Sequence, residues 1–145
     1  MADDFADRVA AWAKKSIKNA TLVQKKVALE VFSRIVLRSP IGNVRNWKTK
    51  YPPKGYVGGR FRANWQCSLD KEATGELDST DINAPIRSIA GALGQLKEGE
   101  DHRAVLTNNL PYGEPLEKGH SKQAPQGMVA ITVAEFGGIV EEAVR

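Results

Sequence analysis

Residues 60–69 read "RFRANWQCSL". Phe61, Ala63, Trp65, Cys67 and Leu69 alternate with Arg60, Arg62, Asn64, Gln66 and Ser68, and strict period-two alternation over such a run predicts a half-buried β-strand. A strand needs a partner, and "RAVLTNN", residues 103–109, is the short segment that offers one. The longer apolar patterns elsewhere have helical spacing. The expectation is therefore an α+β domain, with a small, mainly antiparallel sheet that includes Phe61–Leu69 and Arg103–Asn108.

Upstream of the strand, residues 1–38 read as a helical segment. Phe5, Val9, Trp12 and Ser16/Ile17 recur at helical spacing after Asp3 or Asp4 as N-cap. "KNAT", residues 18–21, interrupts the pattern, and Thr21 with Gln24 resembles a capping box, so a bend or a second helix start is expected there. From Leu22 to Leu37 two apolar rows run together, Leu22/Leu29/Phe32/Val36 and Val23/Val27/Val31/Ile35. This is wider than a surface stripe and predicts burial on more than one side, by the chain's own core or by a neighbour. Ser39-Pro40 ends the helix, because a residue before proline is pushed out of the helical region.

Downstream, "APIRSIAGALGQLKEG" predicts a helix near 84–97, with Pro85 in the first turn and Gly99 past the end. A closing helix is expected over 127–144, with Val129, Val133, Phe136 and Val140 on one face, although "VAITV" alone reads equally as a strand. Gly137-Gly138 inside it would be accounted for by close packing against another backbone. At 145 residues, 41% apolar and 26% charged, the chain has the proportions of one soluble domain covering 1–145, long enough to bury a core without a metal or disulfide.

Residues 40–60 form an extended basic arm or loop, punctuated by Gly42, Pro52-Pro53, Gly55 and Gly58-Gly59. Loops of that length in a compact domain are uncommon and are usually functional or mobile. Between Arg38 and Arg62 lie seven basic residues, counting both ends, and no acidic one: Arg38, Arg45, Lys48, Lys50, Lys54, Arg60 and Arg62. The sign then reverses, with Asp70, Glu72, Glu76, Asp78 and Asp81 set against Lys71. Such a separation suits docking on a second copy or on a polyanion. Trp47, Tyr51 and Tyr56 fit base stacking beside the phosphate-neutralising Arg45, Lys48, Lys50 and Lys54. They fit a protein interface equally well, since Tyr, Trp and Arg are enriched there.

The residues point away from catalysis. His102 and His120 belong to no metal-ligand spacing; His102 follows "EGED" and is expected to be solvated, and His120 has only the adjacent Ser121, with no GxSxG elbow. "GYVGGRF" lacks phosphate-loop spacing. The lone Cys67 has no thiol partner and reads as a small buried residue. No catalytic, cofactor-binding or metal site is expected. The acidic N-terminus is not a secretory signal and no apolar run approaches the roughly 20 residues of a membrane span, so a cytosolic product without membrane contact is expected.

The order of three segments, "VFSRIVLRSPIG", "GGRFRANWQ" and "LTNNLPYGEPLEKGHSKQAPQGMV", resembles the tailed-bacteriophage neck and tail-completion proteins, or minor tail proteins. The matching positions are Ser39-Pro40, Gly59 to Trp65, Asn108 to Tyr112, Leu116 to Ser121 and Gln123 to Met128, within residues 28–144. Two features depart from the pattern: the expanded loop after Ser39-Pro40, and Lys118 where a Tyr often precedes Gly-His. The resemblance implies a non-enzymatic virion structural protein in the tail or neck, made in the host cytoplasm and assembled as a homo-oligomeric ring where the head connector meets the tail. Its partners would be copies of itself and other neck and tail proteins, with non-specific DNA contact in the lumen from Arg45, Lys48, Lys50 and Lys54. Trp47, Tyr51, Tyr56, Arg60 and Arg62 would face Asp70, Glu72, Glu76 and Asp78 of a neighbouring copy, or neck proteins. A tail terminator and a nucleic-acid-binding protein are the alternatives.

Overall fold

The computed structural model describes residues 2–43 and 54–145, with side chains from residue 4 onward. In chain order the elements are α1 (Ala2–Arg38), α2 (Arg60–Ala63), β1 (Gln66–Leu69), α3 (Ala84–Gly94), β2 (Ala104–Thr107), α4 (Gly113–Glu117), α5 (Val129–Ala134) and α6 (Phe136–Val144). The class is α+β and mostly helical. β1 and β2 pair antiparallel, Gln66 opposite Thr107 and Leu69 opposite Ala104, as the two short runs predict.

The 60–69 run is only half strand. Its first four residues form the helical turn α2, closed by Ala63 N–H donating to Gly59 O at 2.8 Å, and the strand begins at Gln66. Phe61 and Trp65 are four apart, a spacing that period-two and helical patterns both satisfy, so their shared burial does not distinguish the two. Asn64 does: it is fully buried, where an alternating strand would turn it outward.

The 37 residues of α1 run unbroken through "KNAT". Thr21 caps nothing; its hydroxyl donates back to Ile17 O at 3.0 Å, one turn earlier. Burial on more than one side holds for the last turns only, where every residue from Val31 to Val36 is buried or half-buried and the helix packs against α3, α5 and α6. Ile35 and Val36 are buried and Ala28, Val31 and Phe32 pack beside them, whereas Leu22, Leu29 and Leu37 are exposed.

The core sits around the C-terminal half of α1. Ile35 and Val36 meet Phe61 and Trp65 at the end of α2, Ile89 and Leu93 of α3, and Leu96, Leu110, Ala124 and Met128 from the connecting segments. Each fully buried side chain, such as Ile89, Val36 and Met128, contributes roughly 1.5–3 kcal/mol over its exposed state. α3 ends at Gly94, short of 97, with Leu96 still buried.

The closing region is two helices. "VAITV" is helical within α5, and the chain turns at Glu135, whose carboxylate accepts hydrogen bonds from Arg34 and Arg38 of α1 at 2.7 and 2.6 Å. The buried side is Met128, Thr132 and Ile139; Val129, Val133 and Phe136 point outward instead. Thr132 is held inward by donating to Met128 O and accepting from Arg38. Among the described residues nothing outside their own helix lies within 4 Å of a Cβ built on Gly137 or Gly138, so close backbone packing there does not account for them.

Candidate functional site

The arm leaves the end of α1 and returns into α2, so the site is built on that junction. A helix C-terminus leaves its last carbonyls without partners. Here Arg62 supplies them: its Nε and one terminal nitrogen donate to Ser39 O at 2.9 and 2.7 Å, and that nitrogen also reaches Leu37 O at 3.0 Å. A cation at this position also suits the negative end of the helix dipole. Burial lowers the pKa of the Arg62 guanidinium from its ordinary value. Ser39 is fully buried, donates from Oγ to Ile35 O at 2.8 Å and accepts the Trp65 indole N–H at 2.7 Å. Helix end, α2 and the start of β1 are thereby one hydrogen-bonded unit.

Two further contacts fix the stems of the arm. The Gln123 side chain accepts the Ile41 N–H at 3.0 Å and donates to Ile41 O at 2.8 Å, a two-point amide match to backbone. Tyr56, on the returning stem, lies over Gly42 on the outgoing one: a Cβ on Gly42 would sit 1.8 Å from the Tyr56 hydroxyl oxygen. A Cβ on Gly58 would sit 2.1 Å from Gly42 O. Gly58 requires glycine because its obstacle is the backbone of the other stem, whereas at Gly42 the obstacle is the end of the Tyr56 side chain.

Between the stems and the 119–123 loop opens a cavity of about 540 Å3, walled by Ile41, Tyr56, Arg60, Phe61, Tyr112 and His120 among others. Its floor is aromatic, with Phe61 and Tyr112 ring centres 5.8 Å apart and Phe61 edge-on to Trp65 at 6.0 Å. Burial raises the Tyr112 hydroxyl above its ordinary pKa. The cavity can take an apolar or aromatic group and offers the Arg60 cation at its edge.

The loop behind the cavity is held by Glu117. Its carboxylate accepts the N–H groups of Met128 and Val129 on one oxygen, at 2.9 and 3.0 Å, and of Ala130 on the other, at 2.9 Å. These are the open donors at the start of α5, capped from eleven to thirteen residues away. Burial pushes the Glu117 pKa up, but the three N–H bonds outweigh it and the carboxyl ends below its usual range. A Cβ on Gly127 would fall 2.7 Å from a Glu117 oxygen, so glycine clears the approach.

The acidic turn is bound to its own chain. Arg60 reaches Glu76 at 3.2 Å and Asp78 at 3.4 Å. Asn64 clamps the same turn, donating to Leu77 O at 3.1 Å and accepting Leu77 N–H at 2.7 Å. Asp70, at φ 68°, accepts Arg103 N–H at 2.9 Å and meets His102 at 2.8 Å. The Arg103 N–H, and then His102, hold its carboxyl below the ordinary value. His102 is not simply solvated: it bridges Glu100 and Asp70, each at 2.8 Å, and Glu100 first and Asp70 second raise its pKa. Glu72 and Lys54 are exposed. Arg45, Trp47, Lys48, Lys50 and Tyr51 lie outside the described residues.

The structure therefore brings Tyr56 and Arg60 to one cavity, turns Arg62 inward onto α1, and ties Asp70, Glu76 and Asp78 to partners in the same chain. Gln123 and Glu117, which organise the site, read in sequence as part of an exposed polar run and a short helical turn. The signal that marks Glu117 is Gly127-Met128 ahead of an apolar stretch with no Ser, Thr, Asp or Asn to cap it. Ser121 Oγ accepts Gln123 N–H at 3.2 Å, and among the described residues no hydrogen bond joins it to His120, which is exposed. Among the described residues no group of three or more His, Cys, Asp or Glu is placed to hold a metal ion, and no helix is long and apolar enough to cross a membrane. No protein-family model, curated protein or solved structure matches the chain.

Proposed function

We propose that the chain is a structural virion protein of a tailed phage, which forms a ring at the head–tail junction or tail end and performs no reaction. The observation that carries this reading is the foot of the arm: Arg62, Ser39, Gln123 and Tyr56 hold two crossing stems beside an aromatic cavity. That architecture supports a docking arm, since it fixes the direction in which a basic, aromatic segment leaves the domain. The ordered series from Ser39-Pro40 to Gln123–Met128 supports the neck and tail-completion assignment over an unrelated docking protein.

Cryo-electron microscopy of the virions tests it. The expected result is density for this chain as a ring between connector and tail, with residues 40–60 reaching a neighbour. Absence from mature particles would overturn it. A ring that already caps the head-proximal end of free tails, before they join heads, would favour the tail terminator.

The charge of the arm favours nucleic-acid binding as the second reading. Arg45, Lys48, Lys50 and Lys54 occur in a stretch with no carboxylate. Phosphate contacts lose affinity steeply with salt, whereas an aromatic-anchored interface does not, so a DNA titration between 50 and about 200 mM salt separates the two.

A further inference from the structure

The connection from α3 to β2, residues 95–103, runs from Leu96, buried in the core, to the open end of the sheet. One side chain fastens its far end. The His102 ring stands between two carboxylates, with Nδ1 2.8 Å from Asp70 Oδ2 and Nε2 2.8 Å from Glu100 Oε2. An ionised carboxylate only accepts, and a neutral imidazole has a single N–H to give. Both contacts are therefore hydrogen bonds only when the ring carries two protons. In either neutral tautomer one nitrogen turns its lone pair toward a carboxylate oxygen, and that contact is repulsive. The charged groups around the ring are Glu100 and the exposed Asp101 of its own segment, Asp70 past the end of β1, and Arg103, whose guanidinium donates to Asp70 O at 3.2 Å. α1 and α6 meet this place with Gln24, Val27, Ala28 and Phe136, none of which titrates. Glu100 first and Asp70 second hold the proton on the ring above its ordinary pKa of 6.5.

Two parts of the fold meet at this residue. Asp70 has φ 68°, uncommon for a residue with a side chain, and its carboxylate pins it there: Oδ1 accepts Arg103 N–H at 2.9 Å while Oδ2 meets the ring. On the other side His102 O accepts from the Gln24 side chain at 3.2 Å. Among the described residues that is the first side-chain hydrogen bond along α1 to another part of the chain. The two carboxylates differ in what remains if the ring loses a proton. Asp70 keeps the Arg103 N–H. Among the described residues Glu100 has no carboxylate hydrogen bond besides that to His102, and its side chain is half-exposed.

We infer that His102 is a proton-operated clamp on the 95–103 connection. As the imidazolium it ties Glu100 to Asp70 and holds the connection against β1 and α1. As the neutral ring it keeps Asp70 through Nδ1–H and releases Glu100 to water, and the turn from Gly99 to His102 loosens with it. Gln24, His102 and Arg103 line an open groove of about 370 Å3 between α1, β2 and α6, so the proton sets one wall of that groove. The clamp stands on this geometry and does not depend on the ring assembly proposed above. A group whose folded pKa is raised contributes stability that is complete below its unfolded pKa and is lost as pH rises through the folded one. The clamp is thus closed below about pH 6.5 and opens on the alkaline side of it.

The test is an NMR titration of the full chain carrying His120→Gln, which leaves His102 as its imidazole, between about pH 5.5 and 9.5. Long-range nitrogen–proton spectra read the protonation of each ring nitrogen directly. The expected midpoint lies at least about one pH unit above that of the same chain unfolded in urea, a tenfold gain in proton affinity. Glu100→Gln should remove at least half of that shift. The carbon signals of Gln24 Cδ and Gly99 Cα should move with the same midpoint. The Tm of the parent minus that of its Glu100→Gln variant should be positive near pH 6 and shrink as pH rises through it. A smaller shift of the midpoint overturns the clamp, as does a shift that Glu100→Gln leaves in place. A full shift to which Gln24, Gly99 and the Tm difference do not respond also overturns it, because the ring would then titrate without holding anything.

Discussion

At its C-terminal end α1 is enclosed: Ile35, Val36 and Ser39 are buried, Arg62 closes the last carbonyls, and Trp65 seals the junction. At its N-terminal end the same helix presents Phe5 and Trp12 to water. One element thus uses its apolar residues in two ways. The enclosed end meets the fold's own needs, and its polar contacts are complete. The open end has comparable side chains and, among the described residues, none of the enclosure. Helical periodicity alone does not separate these roles, because it is equally regular at both ends.

A pair of tryptophans breaks or sharpens the contrast most directly. Trp65→Ala should destabilise the isolated domain by about 3–5 kcal/mol, as a large side chain lost from a packed core does, whereas Trp12→Ala should leave it within about 0.5 kcal/mol. Urea unfolding of the two variants checks both. Similar losses at the two positions would mean that the open end packs on its own chain after all.

Ser39→Ala should cost about 1–3 kcal/mol, because the buried Trp65 indole N–H is left without an acceptor. Combining it with Trp65→Phe should recover part of that loss, since no orphan donor then remains, and a double-mutant cycle reads the coupling. Glu117→Ala removes the shared cap of α5 and should cost about 1 kcal/mol. Hydrogen exchange at the Met128, Val129 and Ala130 amides should rise before exchange in α3 does.

The smallest effect belongs to the Arg34–Glu135–Arg38 cluster, which is partly solvated and screened by salt. Hydrogen bonds from Arg38 and then Arg34 hold the Glu135 carboxyl at about 2, below its ordinary 4.5. A depressed carboxyl stabilises the fold fully above its unfolded pKa and loses that contribution as pH falls through the folded value. The stability difference between wild type and Glu135→Gln should therefore be constant above pH 5 and shrink progressively toward pH 2. A difference that does not change over that range would show that the carboxylate contributes nothing as a charge.

Much of the architecture is legible from residue order. The α+β class, the antiparallel partner of 66–69, the stop at Ser39-Pro40 and the helix after Asn83 all rest on local signals: alternation, a proline-restricted dihedral, Pro85 in a first turn. The failures have a common physical origin. Phe61 and Trp65 satisfy two periods at once, and the choice between them is made by Asn64 and Leu77, thirteen residues apart. The exposed face of α5 and α6 was invisible because Arg34 and Arg38 of α1 fix Glu135, and with it the break between those helices.

At the candidate site the visible part was the composition of the arm, and the hidden part was what anchors it. Tyr56 and Arg60 were legible as aromatic and cationic residues beside glycines. Gln123 and Glu117 act through backbone groups about 82 and eleven to thirteen residues distant, and nothing in their neighbours' identity announces such reach. Arg62 was recognisable as basic but not as the closing group of a helix that ends more than twenty residues earlier.

The crossing of the stems at Gly42 and Gly58 makes the length of chain between them a nearly free variable. With both ends already held together, each doubling of that length adds only about 0.6 kcal/mol of closure entropy. Segments of other sizes and chemistries could be exchanged at this gate while the domain beneath keeps its packing, so one scaffold can be refitted to new neighbours by insertion instead of by redesign.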